Sequence, residues 1–140
     1  TSTFSGSGVG VYYDVYEVHS ASDEAAVVSI TSDGLGDSVL SLYCSFDPTD
    51  ASANLVCYDD DGGGGLMSAF TPGDNFLIEA NTSYYLVVSS FSPSTGGYTL
   101  NLGGGLQFGG VAPPQVPLSN WIFMLIGILA VTVVFIKLKK

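Results

Sequence analysis

The chain has 140 residues and a formal net charge of −10, from 13 Asp and Glu residues against three Lys and Arg residues. All 13 carboxylates lie between Asp14 and Glu79, whereas the three cationic side chains lie between Lys137 and Lys140, so residues 1–102 carry a formal charge of −13. Because binding to a phosphate backbone requires cations, this distribution excludes nucleic acid as a partner of the acidic part. Divalent cations or a basic surface of another protein are the partners that suit it.

Predicted strands in the first half of the chain are rich in Val, Ile and Tyr. After a Ser/Gly/Thr-rich segment over 1–10, strands are predicted over 11–18, 25–31, 39–44 and 55–58. The segments between them hold Asp, Gly, Ser and Pro, which favour turns. The strands over 39–44 and 55–58 are expected to pair as a hairpin.

The same pattern continues in the second half. A DDDGGGG segment over 59–65 favours turns, and further strands are predicted over 66–70, 76–78, 84–90 and 98–102. In the last of these, alternation places Tyr98, Leu100 and Leu102 on the inward face. Residues 1–102 show no helical apolar period. The sequence therefore predicts an all-β ectodomain over 1–102, an antiparallel, jelly-roll-like β-sandwich of about 7–8 strands.

Two cysteines flank the loop of the predicted hairpin. Cys44 and Cys57 would lie near opposite positions on the paired strands, and export to an oxidising compartment favours a disulfide between them. Such a bond would stabilise the fold by roughly 3 kcal/mol in the chain-entropy model. Two free buried thiols are the alternative. A metal site with His19 is disfavoured, because His19 is far from both cysteines in sequence.

The C-terminal part has the composition of a membrane anchor. A linker rich in Gly and Pro is predicted over 103–117. In the segment 121–136 that follows, every residue is apolar except Gly127 and Thr132. A helix over 118–138 would span about 30 Å, the thickness of a bilayer core. A buried core helix is the alternative, but an uncharged run of this length between a Pro-rich segment and lysines favours a membrane span.

Side chains along this helix have distinct expected roles. The residues assigned to the anchor are Trp121 at the interface, Gly127 and Ala130 on a small-residue surface for helix contact, and Lys137, Lys139 and Lys140 at the far end. The lysines predict a cytoplasmic tail over 139–140 and a head on the opposite side of the membrane. Because the chain begins at Thr1, a removed signal peptide is also expected.

The order of these features is similar to a known family. The segments VYYDVYEV, DSVLSLY, LVCYDDDGGGG and NTSYYLVVSSFSPSTGGYTLNL resemble the bacterial pre-peptidase C-terminal domain over about residues 4–102. The resemblance implies a small jelly-roll-like β-sandwich that accompanies other proteins and is not itself catalytic. Some members of that family bind calcium. The PLSNW segment, the apolar run and the basic end resemble the sorting tails recognised by exosortase-type systems, which implies the bacterial inner membrane with the head periplasmic or extracellular.

Acidic turns supply the candidate metal ligands. Asp59, Asp60 and Asp61 precede four glycines, and calcium takes carboxylate and backbone carbonyl oxygens of the kind such a loop provides. The pairs Asp33/Asp37 and Asp47/Asp50 are candidate contributors from other loops. The loop is not an EF-hand, because Phe70 falls where the bidentate Glu would be. A solvated acidic turn is the alternative to a calcium site.

Residues 1–102 contain few of the side chains that enzymes use for catalysis, with one His and no Lys or Arg, so no enzymatic activity is predicted. We expect a non-catalytic, membrane-anchored accessory or structural subunit of a larger bacterial membrane complex. Its helix would pack with other subunits in the bilayer, and its acidic head would cover their outer face. Two alternatives stay open: a surface module for adhesion or for binding calcium or carbohydrate, and a sorting substrate whose tail is cut away. Calcium is the one cofactor that the sequence suggests.

Overall fold

The computed structural model describes residues 11–111, which form ten strands and one short 3-10 turn at Pro72–Asp74. The strands are β1 (Tyr13–His19), β2 (Glu24–Ala25), β3 (Val27–Asp33), β4 (Ser38–Tyr43), β5 (Leu55–Asp59), β6 (Ala69–Phe70), β7 (Leu77–Ile78), β8 (Ser83–Ser90), β9 (Gly97–Gly103) and β10 (Gln107–Phe108). Each predicted strand has a counterpart, and the one predicted over 25–31 is divided into β2 and β3.

These strands form three antiparallel sheets. The largest has the order β10-β1-β8-β4-β5, a second has the order β6-β3-β9, and β2 pairs with β7. The two larger sheets share one apolar core, to which β8 contributes Leu86 and β3 contributes Ile30. The predicted all-β, antiparallel class is therefore confirmed for the part of the chain that the structure describes.

Alternation along each strand builds this core. Leu42 and Tyr16 both pair with Leu86, and Leu40 pairs with Val88, so inward side chains meet across three neighbouring strands. Tyr98, Leu100 and Leu102 pack against the same cluster, as their alternation predicts. Burying each large aliphatic side chain of this kind stabilises the fold by roughly 1.5–3 kcal/mol.

The opposite face of the largest sheet is also partly covered. The loop between β4 and β5 folds over it, so the Phe46 ring lies 5.3 Å from the Tyr43 ring and 5.5 Å from the Tyr13 ring. The Tyr43 hydroxyl donates to the Ala51 carbonyl at 2.9 Å. Tyr43 and Val87 are consequently buried although they face away from the main core.

The folded head extends beyond the predicted ectodomain boundary. Leu106 is buried in the main core, and β10 pairs with β1 at Val18 and His19. Residues 103–111 therefore belong to the head, and the linker predicted over 103–117 begins too early. The glycines suggested an open tether, but Gly104 takes a left-handed conformation at φ +65°, which turns the chain back towards the core.

Other predictions fall on residues that the structure does not describe. Within residues 11–111 no helix is long and apolar enough to cross a membrane. The following predictions lie outside the described residues: the segment 1–10, the linker part over 112–117, the membrane helix over 118–138 with Trp121, Gly127, Ala130 and Lys137, and the tail with Lys139 and Lys140.

The predicted disulfide is wrong, although the hairpin of β4 and β5 is confirmed. Cys44 is an exposed free thiol and Cys57 is a buried one. Cys57 pairs with Leu42, and a bulge follows at Leu42/Tyr43. The Cys44 amide then bonds to the Asn54 carbonyl. Because Cys44 lies opposite Asn54, Cys57 is too far along its strand to face it.

A close approach of two loops closes one end of the sandwich. The Leu35 amide donates to the Gly97 carbonyl at 3.1 Å. A Cβ atom on Gly96 would lie 2.2 Å from the Gly34 carbonyl carbon and 2.3 Å from the Leu35 nitrogen. These neighbours are backbone atoms, so they cannot move aside as a side chain would. The loops can approach this closely only because position 96 has no side chain.

We expect Gly96→Ala to lower the free energy of unfolding by about 1–3 kcal/mol, as overpacking generally does. Urea unfolding of the chain in detergent, followed by circular dichroism, measures this loss. Gly36→Ala is the matched control, because a Cβ atom there meets nothing within 4 Å, and its effect should stay within about 0.5 kcal/mol. Equal effects of the two substitutions would contradict the close-approach argument.

The cysteine assignment predicts that one thiol per native chain reacts with a maleimide at pH 7.5. Burial and, to a lesser extent, the carboxylates of Asp74 and Asp59 raise the pKa of the Cys57 thiol to about 12, so Cys57 has almost no reactive thiolate. Cys44→Ser should abolish labelling and Cys57→Ser should leave it intact, as measured by intact mass. Labelling that begins only after a reductant is added would show the disulfide instead.

Candidate functional site

Three carboxylates converge at one end of the largest sheet. Asp37, Asp60 and Asp61 each place an oxygen within 4.8 Å of the oxygens of the other two. Asp37 directly precedes β4, and Asp60 and Asp61 directly follow β5. Since β4 and β5 are antiparallel neighbours, the start of one and the end of the other meet at the same edge. We call these three residues the aspartate cluster.

Asp59 does not join the aspartate cluster, although the sequence suggests it as a metal ligand. Its Oδ2 accepts hydrogen bonds from the Gly62 amide at 2.8 Å and from the Ala69 amide at 2.9 Å. Bonds from two main-chain amides to one carboxylate fix the turn after β5. Asp59 thus shapes the loop, and Asp37 takes the place in the aspartate cluster that the sequence suggested for Asp59.

The remaining candidate ligands do not join the aspartate cluster. Asp47 accepts hydrogen bonds from the amide and hydroxyl of Thr49, and Asp50 accepts them from the amide and hydroxyl of Ser52. These bonds, the hydroxyl bonds most of all, lower the pKa of both carboxyls. Each side chain caps its own turn. Asp33 also lies outside the aspartate cluster.

Two buried hydroxyls hold the loop that follows β5 against the start of β4. The Ser68 amide donates to the Ser38 Oγ at 2.8 Å, and the two hydroxyl oxygens are 3.1 Å apart. The Ser68 Oγ also lies 2.8 Å from the Asp60 carbonyl oxygen. Because both serines are fully buried, these bonds are shielded from water and fix the backbone of Asp60 next to that of β4.

The carboxylates of the aspartate cluster have no positively charged side chain to pair with among residues 11–111. The Oδ1 atoms of Asp37 and Asp60 are buried and have no hydrogen-bond partner. Burial raises the pKa of Asp60, and the carboxylates of Asp61, Asp37 and Asp59 raise it further. Residues 11–111 contain no Lys or Arg that could pair with these oxygens. Calcium binds oxygen ligands of this type, so the carboxylates present are of the kind that this ion takes.

His19 has a structural contact. Its Nδ1 donates to the Gly109 carbonyl oxygen at 2.7 Å, which holds the chain after β10 against β1.

A second group of polar side chains lies between the two larger sheets. The Tyr98 hydroxyl on β9 donates to the Asp14 Oδ2 on β1 at 2.6 Å, and the Tyr16 hydroxyl donates to the Tyr98 oxygen at 2.8 Å. Strand alternation puts Asp14 and Tyr16 on one face of β1, and the sequence predicts Tyr98 on an inward face. It carried no signal that these faces meet, because β1 and β9 belong to different sheets.

The chain was compared with protein-family models, curated proteins and solved structures, and no match was found in any of the three. The resemblances to the pre-peptidase C-terminal domain and to exosortase-type sorting tails stay predictions.

Proposed function

We propose that this chain is a non-catalytic, membrane-anchored accessory subunit of a larger bacterial membrane complex. In this proposal the jelly-roll-like head lies on the outer side and the helix over 118–138 packs with other subunits. The observation that carries the proposal is the surface of β5. This strand exposes Leu55 by 37%, Val56 by 39% and Tyr58 by 65%.

The position of β5 makes this surface suitable for a protein partner. Among the described residues β5 pairs with β4 on one side only, so it is an edge strand. Edge strands usually carry charges or Pro, which prevent pairing with other chains. Leu55, Val56 and Tyr58 instead offer an apolar strip beside main-chain groups that can extend a sheet. Aromatic residues such as Tyr58 are also enriched in protein interfaces.

Charge defines the kind of partner. Residues 11–111 hold all 13 carboxylates and no Lys or Arg, so a partner with a basic rim around an apolar strip complements the head. Opposite charges at a rim accelerate association and set specificity. They also make the association sensitive to salt, because exposed charges are screened.

We expect the double variant Val56→Ser/Tyr58→Ser to weaken co-purification of the partner subunits from membranes solubilised in a gentle detergent. Loss of an interface tyrosine and its neighbour should lower affinity about tenfold or more. The readout is quantitative mass spectrometry of the subunits recovered with the tagged chain. Leu77→Ser is the matched control, because Leu77 is 66% exposed on β7.

Recovery of the same subunits by wild type, the β5 double variant and the control would contradict docking through β5. If no membrane subunit is enriched with the wild-type chain over an unrelated single-span protein, the accessory-subunit proposal itself is wrong.

The aspartate cluster supports a second candidate function, a calcium-binding surface module. Two buried carboxylate oxygens without partners, on Asp37 and Asp60, favour it. A buried carboxylate with no partner is costly to ionise. A divalent cation would satisfy these oxygens and join the loop after β5 to the start of β4.

We expect millimolar calcium to raise the melting temperature of the chain by more than about 5 °C, since saturating a site that exists only in the folded state adds about 2–3 kcal/mol. Differential scanning calorimetry with calcium and with a chelator measures this shift. Asp60→Asn should remove it, while Asp50→Asn, which deletes an equal charge from an exposed loop, should keep it. No shift in the wild type would exclude the calcium site.

The calcium-free protein gives an independent check through pH. Because the folded-state pKa of Asp60 is raised, its ionised form destabilises the fold. Stability should therefore decrease as pH rises from the unfolded-state pKa through the folded-state pKa. In a chelator at pH 7, Asp60→Asn should be more stable than wild type, and a less stable variant would contradict the cause assigned to the shift.

A further inference from the structure

A cavity of about 260 Å³ opens between the two larger sheets, at the end where β1 begins. The side chains that define its chemistry are Tyr12, Asp14, Leu35, Val88, Thr95 and Tyr98. None of these residues belongs to the aspartate cluster or to the β5 surface. We propose that this cavity binds a lysine or arginine side chain presented by a neighbouring protein. The inference rests on the proposed accessory function and names the chemical group that the head would recognise.

The lining suits a long cationic side chain. Leu35 and Val88 line the cavity but are only 6% and 2% exposed, so they offer a small apolar surface. The methylene groups of Lys or Arg can pack on this surface and on the neighbouring rings. Tyr12 and Tyr98 add aromatic rings, whose faces attract cations. Tyr12 is 54% exposed, so an incoming group can reach it from solvent.

A fixed carboxylate supplies the charge. Asp14 Oδ2 accepts the Tyr98 hydroxyl, which in turn accepts the Tyr16 hydroxyl. Burial first, and then the bond to Asp14, raise the pKa of Tyr98. Tyr98 therefore remains a hydrogen-bond donor to Asp14 at neutral pH. Asp14 Oδ1 has no hydrogen-bond partner within residues 11–111, so it can accept a bond from an ammonium or a guanidinium group.

Other ligand classes fit this cavity less well. An anion would be repelled by Asp14 and by the charge of a head that has 13 carboxylates and no Lys or Arg. A neutral sugar could bond to Asp14 but would not use its charge, and the Ser90 hydroxyl already donates within the adjoining turn, to the carbonyl oxygens of Ser92 at 2.5 Å and Ser94 at 3.2 Å. A cation uses both the aromatic rings and the charge.

Binding can be measured on the full chain in detergent micelles by nuclear magnetic resonance. The probes are acetyl-arginine amide and acetyl-lysine amide, with acetyl-citrulline amide and methyl glucoside as neutral probes. We expect the backbone amide signals of Gly96 and Thr95 to shift in a saturable way with the two cations and not with the neutral probes. Saturable binding of methyl glucoside alone, or of none of the probes, would overturn the assignment.

Variants separate this site from the general acidity of the head. Asp14→Asn keeps an oxygen that can accept the Tyr98 hydroxyl but removes the charge, and should weaken cation binding about tenfold. Tyr12→Ala, at an exposed position, should weaken it severalfold without unfolding the protein. Glu79→Gln removes an equal charge at the opposite end of the sandwich and should leave binding unchanged. Equal affinities of wild type and Asp14→Asn would overturn the proposal.

The cavity assignment and the proposed function can each be contradicted without contradicting the other. If membrane subunits co-purify while no probe binds, the cavity assignment alone is wrong. If cations bind while no subunit co-purifies, the accessory-subunit proposal alone is wrong.

Discussion

Strand β8 is the element on which the rest of the structure depends. It pairs with β1 from Ser83 to Ser89 and with β4 from Tyr85 to Ser90. Its central residues Leu86, Val87 and Val88 are almost fully buried because the main core covers one face and the β4–β5 loop covers the other. Both faces of a central strand are shielded from water. Its backbone N–H and C=O groups must therefore find their hydrogen-bond partners within the sheet. Its pairings consequently fix the positions of β1 and β4.

That fixed register brings the candidate sites to one end of the head. β8 ends beside the start of β1, where Asp14 lies opposite Val88. The next residue after β8, Phe91, donates its amide to the Asp37 carbonyl. The segment from Asp33 to Asp37 therefore adjoins both the cavity and the aspartate cluster. With no Lys or Arg among residues 11–111, the potential at this end is negative, and positively charged groups are attracted to it. The two sites differ in lining: clustered carboxylate oxygens suit a divalent ion, whereas aromatic rings with one carboxylate suit an organic cation.

Glycine-rich segments show how composition alone can mislead. The DDDGGGG stretch forms the predicted turn from Asp60 onward, whereas Asp59 is the last residue of β5 and shapes that turn through its carboxylate. The GGGLQFGG stretch was predicted as a linker, but it returns to the sheet and buries Leu106. Glycine permits both outcomes because it restricts the backbone so little. Contacts with the rest of the head decide between them, and a single apolar residue among glycines is a weak signal of such contacts.

The sequence by itself determined the all-β class, the approximate place of every strand except β10, and the inward faces, because alternation of apolar residues is a local property of one strand. It also determined that the head carries carboxylates and no Lys or Arg. Only the tertiary structure decided the rest. A bulge in the β4–β5 hairpin separates Cys44 from Cys57, and the meeting of two strand ends selects Asp37 instead of Asp59 for the aspartate cluster. Packing of one sheet on another brings Tyr98 to Asp14. Register and packing between sheets depend on many distant residues at once, so no short stretch of sequence encodes them.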